Sequence, residues 1–356
     1  MKIAIITDMH FGVRGDSGLF LNNQEKFFSE IFFPYLDEHG IKTVLNLGDT
    51  FDRRKFINFV TLGRVRKFYF DELAKRGIEY HSVVGNHDTS YKNTNEVNAL
   101  TLLCQEYPQF YAYTHDPVEL KFGSTSFMLS PWITKENEEV SKRAFRDTKA
   151  DVLAGHFEFT GFEMMKGTLC DHGLDRVEFS KFADVWSGHF HHPSKYGNIE
   201  YLGAPYEMTW TDFNGTRGFH VFDTESRNLQ RIINDNRMFH KIHYDDFNLK
   251  IEEINDLDAS VLKDTYIKVI VNVKNNPYLF DLFINKLQSA DPADLKIVED
   301  TLNLEGITEE ELIAEQKDTR TALHEFVDGL ENVVDINTKT RIKAVLDSLY
   351  AEAMAL

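Results

Sequence analysis

Residues 43–49 read Thr-Val-Leu-Asn-Leu-Gly-Asp, a short apolar run closed by a glycine and then an aspartate. Short runs rich in β-branched residues and bounded by turn residues read as buried strands, and buried strands flanked by helices belong to layered α/β proteins. The pattern recurs on both sides. Lys2 to Thr7 leads to Asp8 and His10, and His81 to Val84 leads through Gly85 to Asn86, His87 and Asp88. Asp151 to Ala154 leads through Gly155 to His156, and Asp184 to Ser187 through Gly188 to His189 and His191. Ligands of open α/β sheets gather beyond the carboxyl ends of the strands. Strand ends of this kind deliver carboxylates, an amide and imidazoles to one rim. That is the inventory of a metal site, and of a site for two metals.

The residue types fit such chemistry. Two divalent cations held ~3.5–4 Å apart clamp the attacking and leaving oxygens of a phosphoryl displacement and lower the pKa of a bridging water. Their mutual repulsion calls for an anion between them, and Asp49 is the best placed. Asp8 and His10, two residues apart, ligate one metal together, Asn86 supplies a neutral oxygen, and His156, His189 and His191 complete the shells. Mixed nitrogen and oxygen ligation without thiolate favours Mn²⁺, Fe²⁺ or Zn²⁺ over Mg²⁺ or Ca²⁺. Two Mn²⁺ ions are the expectation, with Fe²⁺, Zn²⁺ or Mg²⁺ as alternatives. His87 follows a ligand, and its imidazolium is expected to stabilise phosphoryl charge and protonate the leaving oxygen. Asp52, three residues after Asp49, is expected to hold His87 in its charged form. Glycines 48, 85, 155 and 188 are expected to let backbone approach the metals. A lone histidine at a strand end is ordinarily structural, but this many ligand types at successive strand ends is not scatter. His192 is read as a surface or substrate contact, and the remaining histidines as ordinary.

Composition sets bounds. The chain of 356 residues has room for two or three domains, and its two cysteines form no C-x-x-C. The sequence has neither a signal-peptide pattern nor an apolar run of membrane-spanning length. A net charge of −18 opposes bulk attraction to nucleic acid, although the last 52 residues alone hold twelve acidic side chains against five basic ones. The densest basic run is Arg53-Arg54-Lys55, followed by Arg64, Arg66 and Lys67. It suits DNA-backbone contact or a solvated helix face equally well.

Between the strand-like runs, 22–38 reads as a helix with a kink at Pro34, and 57–76 and 94–106 read as further helices. From about residue 118 the pattern turns strand-rich, suggesting a two-sheet core with flanking helices. The division expected is 1–240 for that core, 241–304 for a small β-α-β unit and 305–356 for a helical pair. In the second segment 245–258 reads as a linker, 266–273 as a strand, 276–290 as a helix and 295–298 as a strand. The narrow apolar stripes on the charged C-terminal helices favour a partner's groove over an internal hairpin.

The blocks Asp8-Met9-His10, Gly48-Asp49, Gly85-Asn86-His87-Asp88, Gly155-His156 and Gly188-His189-Phe190-His191 resemble those of the calcineurin-like metallophosphoesterase superfamily over roughly residues 1–235. The resemblance implies a four-layer αββα core and a dinuclear centre. Carried over block by block, Asp8, His10, Asp49 and His191 would hold one metal. Asp49, Asn86, His156 and His189 would hold the other, with His87 as the catalytic imidazole. Within the superfamily the chain is most similar to SbcD-type nuclease subunits. These are exo/endonucleases that process DNA double-strand breaks with an SMC-like ATPase, and phages carry recombination versions. The likeness rests on Asp88 closing the third block, on the β-α-β unit, which resembles a capping domain, and on the C-terminal helical pair, which resembles the ATPase-gripping segment. It further implies a homodimer through helices near 57–76 and 94–106, and a bacterial or phage-infected host cytoplasm. Some members carry a second histidine where this chain has Asp52. Two alternatives remain: another metallophosphoesterase, either a protein phosphatase or a nucleotidase, and a non-catalytic metal-site scaffold. Gly48-Asp49-Thr50-Phe51-Asp52-Arg53 echoes a phosphatase block, but Arg54 stands where that block has glycine.

Overall fold

The computed structural model describes residues 1–104, 106–165 and 168–299, together with positions 327, 339, 342, 343, 345 and 346. Apart from those positions, the expected partner-binding segment 305–356 lies outside the described residues.

The first apolar run forms β1 (Lys2–Ile6), followed by β2 (Thr43–Asn46), β3 (Glu79–Val83) and β4 (Phe110–Tyr113), each parallel to the strand before it. The chain then crosses to a second sheet through the hairpin β5 (Val118–Phe122) and β6 (Thr125–Ser130), with β7 (Val152–His156) parallel to β6. A small hairpin, β8 (Glu163–Met165) and β9 (Thr168–Leu169), precedes β10 (Asp184–Gly188), which runs parallel to β7. β11 (Ser194–Tyr196) and β12 (Ile199–Tyr201) finish the second sheet. β13 (Gly218–Asp223) returns to the first sheet antiparallel to β1, and β14 (Asn228–Ile233) edges it. The sheets are six-stranded, in the orders β14-β13-β1-β2-β3-β4 and β11-β12-β10-β7-β6-β5.

Strand alternation explains why these runs are apolar throughout. Ile3, Ile5, Leu45 and Val83 face the second sheet and pack with Phe127, Leu129, Val152 and Trp186. Ala4, Ile6 and Val44 face the opposite way, against helical Phe27, Phe28 and Phe32. On the far side of the second sheet, Leu153 and Val185 pack with Phe145, Phe157 and Phe179. Both sheets are thus covered on both faces, giving the mixed α/β layering expected. Among the described residues, no helix is long and apolar enough to cross a membrane.

The helices differ in detail from the expectation. The first runs Gly18–Phe27, passes through a π-helical turn at Phe28–Phe32 and continues as Phe33–Glu38. Pro34 has no N–H to offer the preceding turn, and the widened turn just ahead of it accommodates that loss without a sharp break. A second helix repeats the device as Phe59–Val65, Arg66–Phe70 and Asp71–Lys75. The two widened turns meet through packed aromatics, with the Phe28 and Tyr69 rings 4.6 Å apart and tilted by 52°. The helix expected over 94–106 is only Ala99–Cys104. Asn98 Oδ1 accepts from Thr101 N at 2.8 Å, and Asn95 Nδ2 donates to Trp132 O at 2.8 Å, so the earlier residues are bonded elsewhere.

Beyond the core, β15 (Phe239–Asp245), β16 (Tyr266–Val273) and β17 (Asp294–Glu299) form a three-stranded parallel sheet. Helix Pro277–Gln288 crosses from β16 to β17, its start capped by Asn276 Oδ1 on Tyr278 N at 3.1 Å. The stretch expected to be a linker, 245–258, contains helix Ile251–Asp256, which buries Ile254 in this small core. A parallel strand pair needs a crossover, and this helix provides it between β15 and β16. Phe20 of the first helix touches Phe239 and Tyr266, with ring centroids 6.1 and 5.7 Å away, seating the unit on the main body.

Candidate metal centre

The carboxyl ends of β1, β2 and β3 in one sheet face those of β7 and β10 in the other, and the ligand-type residues lie at those ends, His156 as the last residue of β7 and the others in the loops that follow. Asp8, His10, Asp49 and His189 have φ of 53°, 44°, 53° and 89°, the left-handed region in which Asp and His are tolerated better than most residues. Each such conformation costs about 1–3 kcal/mol and persists only where its surroundings enforce it. Here backbone bonds do so: Asp8 N to Gly48 O at 3.1 Å, His10 N to Asp49 O at 3.0 Å and Phe11 N to Thr50 O at 2.9 Å. Asp88, which from the sequence only closes its block, ties the next loop in. Its buried carboxylate accepts from Thr50 N (2.9 Å), Phe51 N (3.2 Å) and Gly85 N (3.0 Å). Burial, together with the charge of Asp49, pushes its carboxyl up to about 7.

Gly85 has no room for a side chain, because a Cβ there would stand 2.2 Å from Asp49 Oδ1 and 2.4 Å from Asp49 N. Gly85→Ala should displace Asp49, weaken metal binding and cost about 1–3 kcal/mol of stability. Thermal denaturation and metal titration of the variant check both effects. Gly155 does not serve the metals as expected. A Cβ on it would meet Ser130 O at 2.4 Å and the Phe157 ring at 2.6 Å, so it serves strand packing instead.

The side chains gather into overlapping groups. Asp8, His10 and His191 bring ligand atoms within 4.8 Å of one another, as do Asp49, His156 and His189, and also His10, Asp49 and His87. Asn86 Oδ1 lies 2.9 Å from His156 Nε2 and 3.0 Å from His189 Nδ1. His156 Nδ1 donates to Leu47 O at 2.8 Å, so in the neutral ring Nε2 is a lone pair facing Asn86 Oδ1 and, at 3.3 Å, Asp49 Oδ2. His191 Nε2 and His10 Nε2 stand 3.0 Å apart. Asp8 Oδ2 is buried and, among the described residues, has no donor. Acceptors converging in this way need protons or a cation between them. Burial opposes charge on His10 and His156, but Asp52, Asp49 and Asp8 around His10, and Asp49 and Asp8 around His156, outweigh it and push both imidazoles up to about 9. Burial and the charge of His10 instead draw His191 down to about 4. Two carboxylates, an amide oxygen and four imidazoles without thiolate fit borderline divalent cations, and the orphaned Asp8 oxygen is where such a charge is wanted.

His87 sits at this centre, its N–H donating to Asp49 Oδ1 at 2.8 Å. Burial draws its imidazole below the ordinary range, against the pull of Asp49. Asp52 does not hold it as expected. His87 Nδ1 donates to the Asp52 backbone carbonyl at 2.6 Å, while the Asp52 carboxylate faces His10 Nδ1 at 3.4 Å. The turn is fixed by Asp52 N bonding Phe11 O at 3.1 Å, which orients the Asp52 peptide and side chain differently from sequence spacing alone.

The basic run is largely counterbalanced. Arg53 pairs with Asp16 at 3.1 Å and lies over the Phe56 ring, Arg66 pairs with Glu106 at 2.9 Å and Arg64 with Glu25. Arg54 is half-buried and Lys55 exposed. His192, read as a surface or substrate contact, is half-buried near Asp212, whose carboxylate pairs with fully buried Arg217 at 2.8 Å. Arg217 also donates to His191 O and so supports the loop carrying two ligand-type histidines. Sequence reasoning missed Arg217 and Glu158, the latter 2.9 Å from His189 Nε2. No local spacing marks Arg217. Glu158 stands two residues after His156, which places both side chains on one side of an extended chain.

Residues 1–215 match the family model described as calcineurin-like phosphoesterase. Over 354 residues, 99% of this chain and 99% of the other, the sequence is 31% identical to exonuclease subunit 1 of Enterobacteria phage T4. Solved structures also align with it, among them the two that follow. An archaeal phosphodiesterase does so at 12% identity and TM-score 0.34, over 66% of this chain and 100% of that one. Nuclease MPE of Pseudomonas putida does so at 15% identity and TM-score 0.31, over 64% and 87%. With its strand-end blocks gathered around Asp49 and a family match across most of the two-sheet body, the chain belongs to the calcineurin-like phosphoesterase family.

Proposed function

We propose that this chain is the nuclease subunit of a DNA-processing complex, hydrolysing DNA phosphodiester bonds as an exo/endonuclease with two Mn²⁺ ions. One observation carries the reading: carboxylate, amide and imidazole ligands converge on Asp49 beside His87, in a chain matched end to end by a phage exonuclease subunit. In this reading Asp8, His10, Asp49 and His191 hold one ion, and Asp49, Asn86, His156 and His189 the other. Divalent cations there supply Lewis acidity toward phosphoryl oxygens and a water of lowered pKa. Asp49 keeps negative charge at the centre, its Oδ1 fixed by the His87 N–H and its Oδ2 turned toward His156 and His10. With Nδ1 engaged by the Asp52 carbonyl, His87 has Nε2 left to exchange a proton with phosphoryl or leaving oxygens. The partner in this proposal is an SMC-like ATPase held by 305–356, and the chain works in recombination and double-strand-break processing. A second copy packs near Phe59 and Leu102, both exposed on the helices expected to pair.

The test is digestion of linear duplex DNA with Mn²⁺, with and without the ATPase that copurifies from the native source. Metal-dependent release of nucleotides that EDTA abolishes is expected. No metal-dependent phosphodiesterase activity in either arm would return the chain to the scaffold alternative. The proposal also assigns Arg53, Arg54 and Lys55 to the DNA backbone. Arg54→Ala should weaken DNA binding across all sequences and lower the salt slope by about 1, with Arg53→Ala doing less because Asp16 already pairs with it. Salt titrations of binding, read for slope as well as affinity, decide this.

A further inference from the structure

We infer that Glu158 is a positioning residue for His189, accepting the ring's Nε2–H and so presenting Nδ1 to a metal held with Asn86 and His156. This rests on the metal centre proposed above. The geometry is direct: Glu158 Oε1 stands 2.9 Å from His189 Nε2, and His189 Nδ1 stands 3.0 Å from Asn86 Oδ1 on the other side of the ring. A carboxylate accepts and does not donate, so the neutral ring carries its proton on Nε2 and its lone pair on Nδ1. His156 has the opposite arrangement, with its Nδ1 proton on the Leu47 carbonyl and its lone pair on Nε2. The two imidazoles therefore approach Asn86 through different nitrogens.

Glu158 is itself well held. Its carbonyl accepts from Leu174 N at 2.8 Å, and a Cβ on Gly173 would stand 2.5 Å from that oxygen, so the incoming loop grips its backbone closely. The carboxylate is half-buried in a pocket of about 450 Å³, where Trp132 packs 5.2 Å from the His189 ring. On the opposite half of the centre, Asp52 faces His10 Nδ1 at 3.4 Å. Each half thus has one imidazole backed by a carboxylate. Such a partner fixes the ring's orientation and raises the basicity of its ligating nitrogen, and losing it typically costs about 10–100-fold in metal affinity.

The test uses the full chain, stripped of metal and titrated with Mn²⁺, with free ion read by electron paramagnetic resonance and heat by calorimetry. The wild type should bind two ions. Glu158→Ala should weaken one binding event about 10–100-fold and leave the other unchanged, with turnover restored by excess Mn²⁺ and the KM for DNA unaltered. Glu158→Gln should fall between, since its amide oxygen still accepts the N–H but lacks charge. It also carries the test if the alanine variant does not fold. Two events of wild-type affinity in Glu158→Gln and Glu158→Ala, or equal weakening of both, would overturn the inference. A wild type that binds no pair of ions would instead remove the metal centre on which it rests.

Discussion

Asp49→Asn is expected to abolish paired metal binding and reduce DNA hydrolysis to background. The carboxylate is shared. Its Oδ2 is 3.3 Å from His156 Nε2 and 3.6 Å from His10 Nε2, and its Oδ1 accepts the His87 N–H at 2.8 Å. Removing one member of a buried charge cluster costs about 3–5 kcal/mol, which converts to a loss of about 10²–10⁴-fold in affinity for cations placed there. The metal-free protein offers a second readout. His10 and His156 are raised from 6.5 to about 9, so the folded chain holds their protons more tightly than the unfolded chain. Their stabilisation is complete below pH 6.5 and disappears as pH rises through 9. Metal-free wild type should therefore lose stability across that window, and Asp49→Asn should flatten the loss. Adding Mn²⁺ should reverse the trend, because the ion competes with protons for the same nitrogens. Melting curves at several pH values, with EDTA or Mn²⁺, test all three expectations. An Asp49→Asn variant that still binds two ions would remove Asp49 from the shared position.

His87→Ala should behave differently, keeping both metals while turnover falls ~10²–10⁴-fold. The distinction follows from which atoms do what. The bond from His87 to Asp49 comes from the main chain, so the alanine variant retains it. The lost ring is the one whose Nδ1 is anchored on the Asp52 carbonyl and whose other nitrogen remains for proton exchange. Its neighbour His10, 4.8 Å away between ring centroids, is backed by the Asp52 carboxylate and does not depend on His87 for orientation. Saturating Mn²⁺ should not rescue the rate. Loss of an ion in His87→Ala, or recovery at high Mn²⁺, would place the ring among the metal ligands and remove it from acid catalysis.

Asp8, Asp49, Asn86, His156 and His189 could be named as candidate ligands from sequence because each follows a short apolar run closed by residues that leave a strand. Those features are local. Strands buried on both faces read as unbroken apolar segments, which is why Ile3 to Ile6 and Val152 to Ala154 announce themselves without any knowledge of their neighbours. Helix boundaries were less legible. Pro34 signals a disturbance, but whether it becomes a kink or a widened turn depends on aromatic partners from another helix. Residues 94–98 carry a helix-like pattern that the Asn95 and Asn98 amides override through bonds to distant and nearby backbone. Strand β15 leaves no comparable mark in the sequence, because its pairing partner lies some 25 residues on.

Sequence alone determined the α/β class, the strand ends and the donor chemistry, because side-chain type and hydrophobic period are properties of short stretches. Only the tertiary structure decided that Asp52 turns its carboxylate to His10 and its carbonyl to His87, that Asp88 stitches neighbouring loops, and that Glu158 and Arg217 support His189 and His191. Those assignments depend on hydrogen bonds between loops that meet only after both sheets have packed. Direction at the scale of one ring nitrogen is set by that packing and not by spacing along the chain.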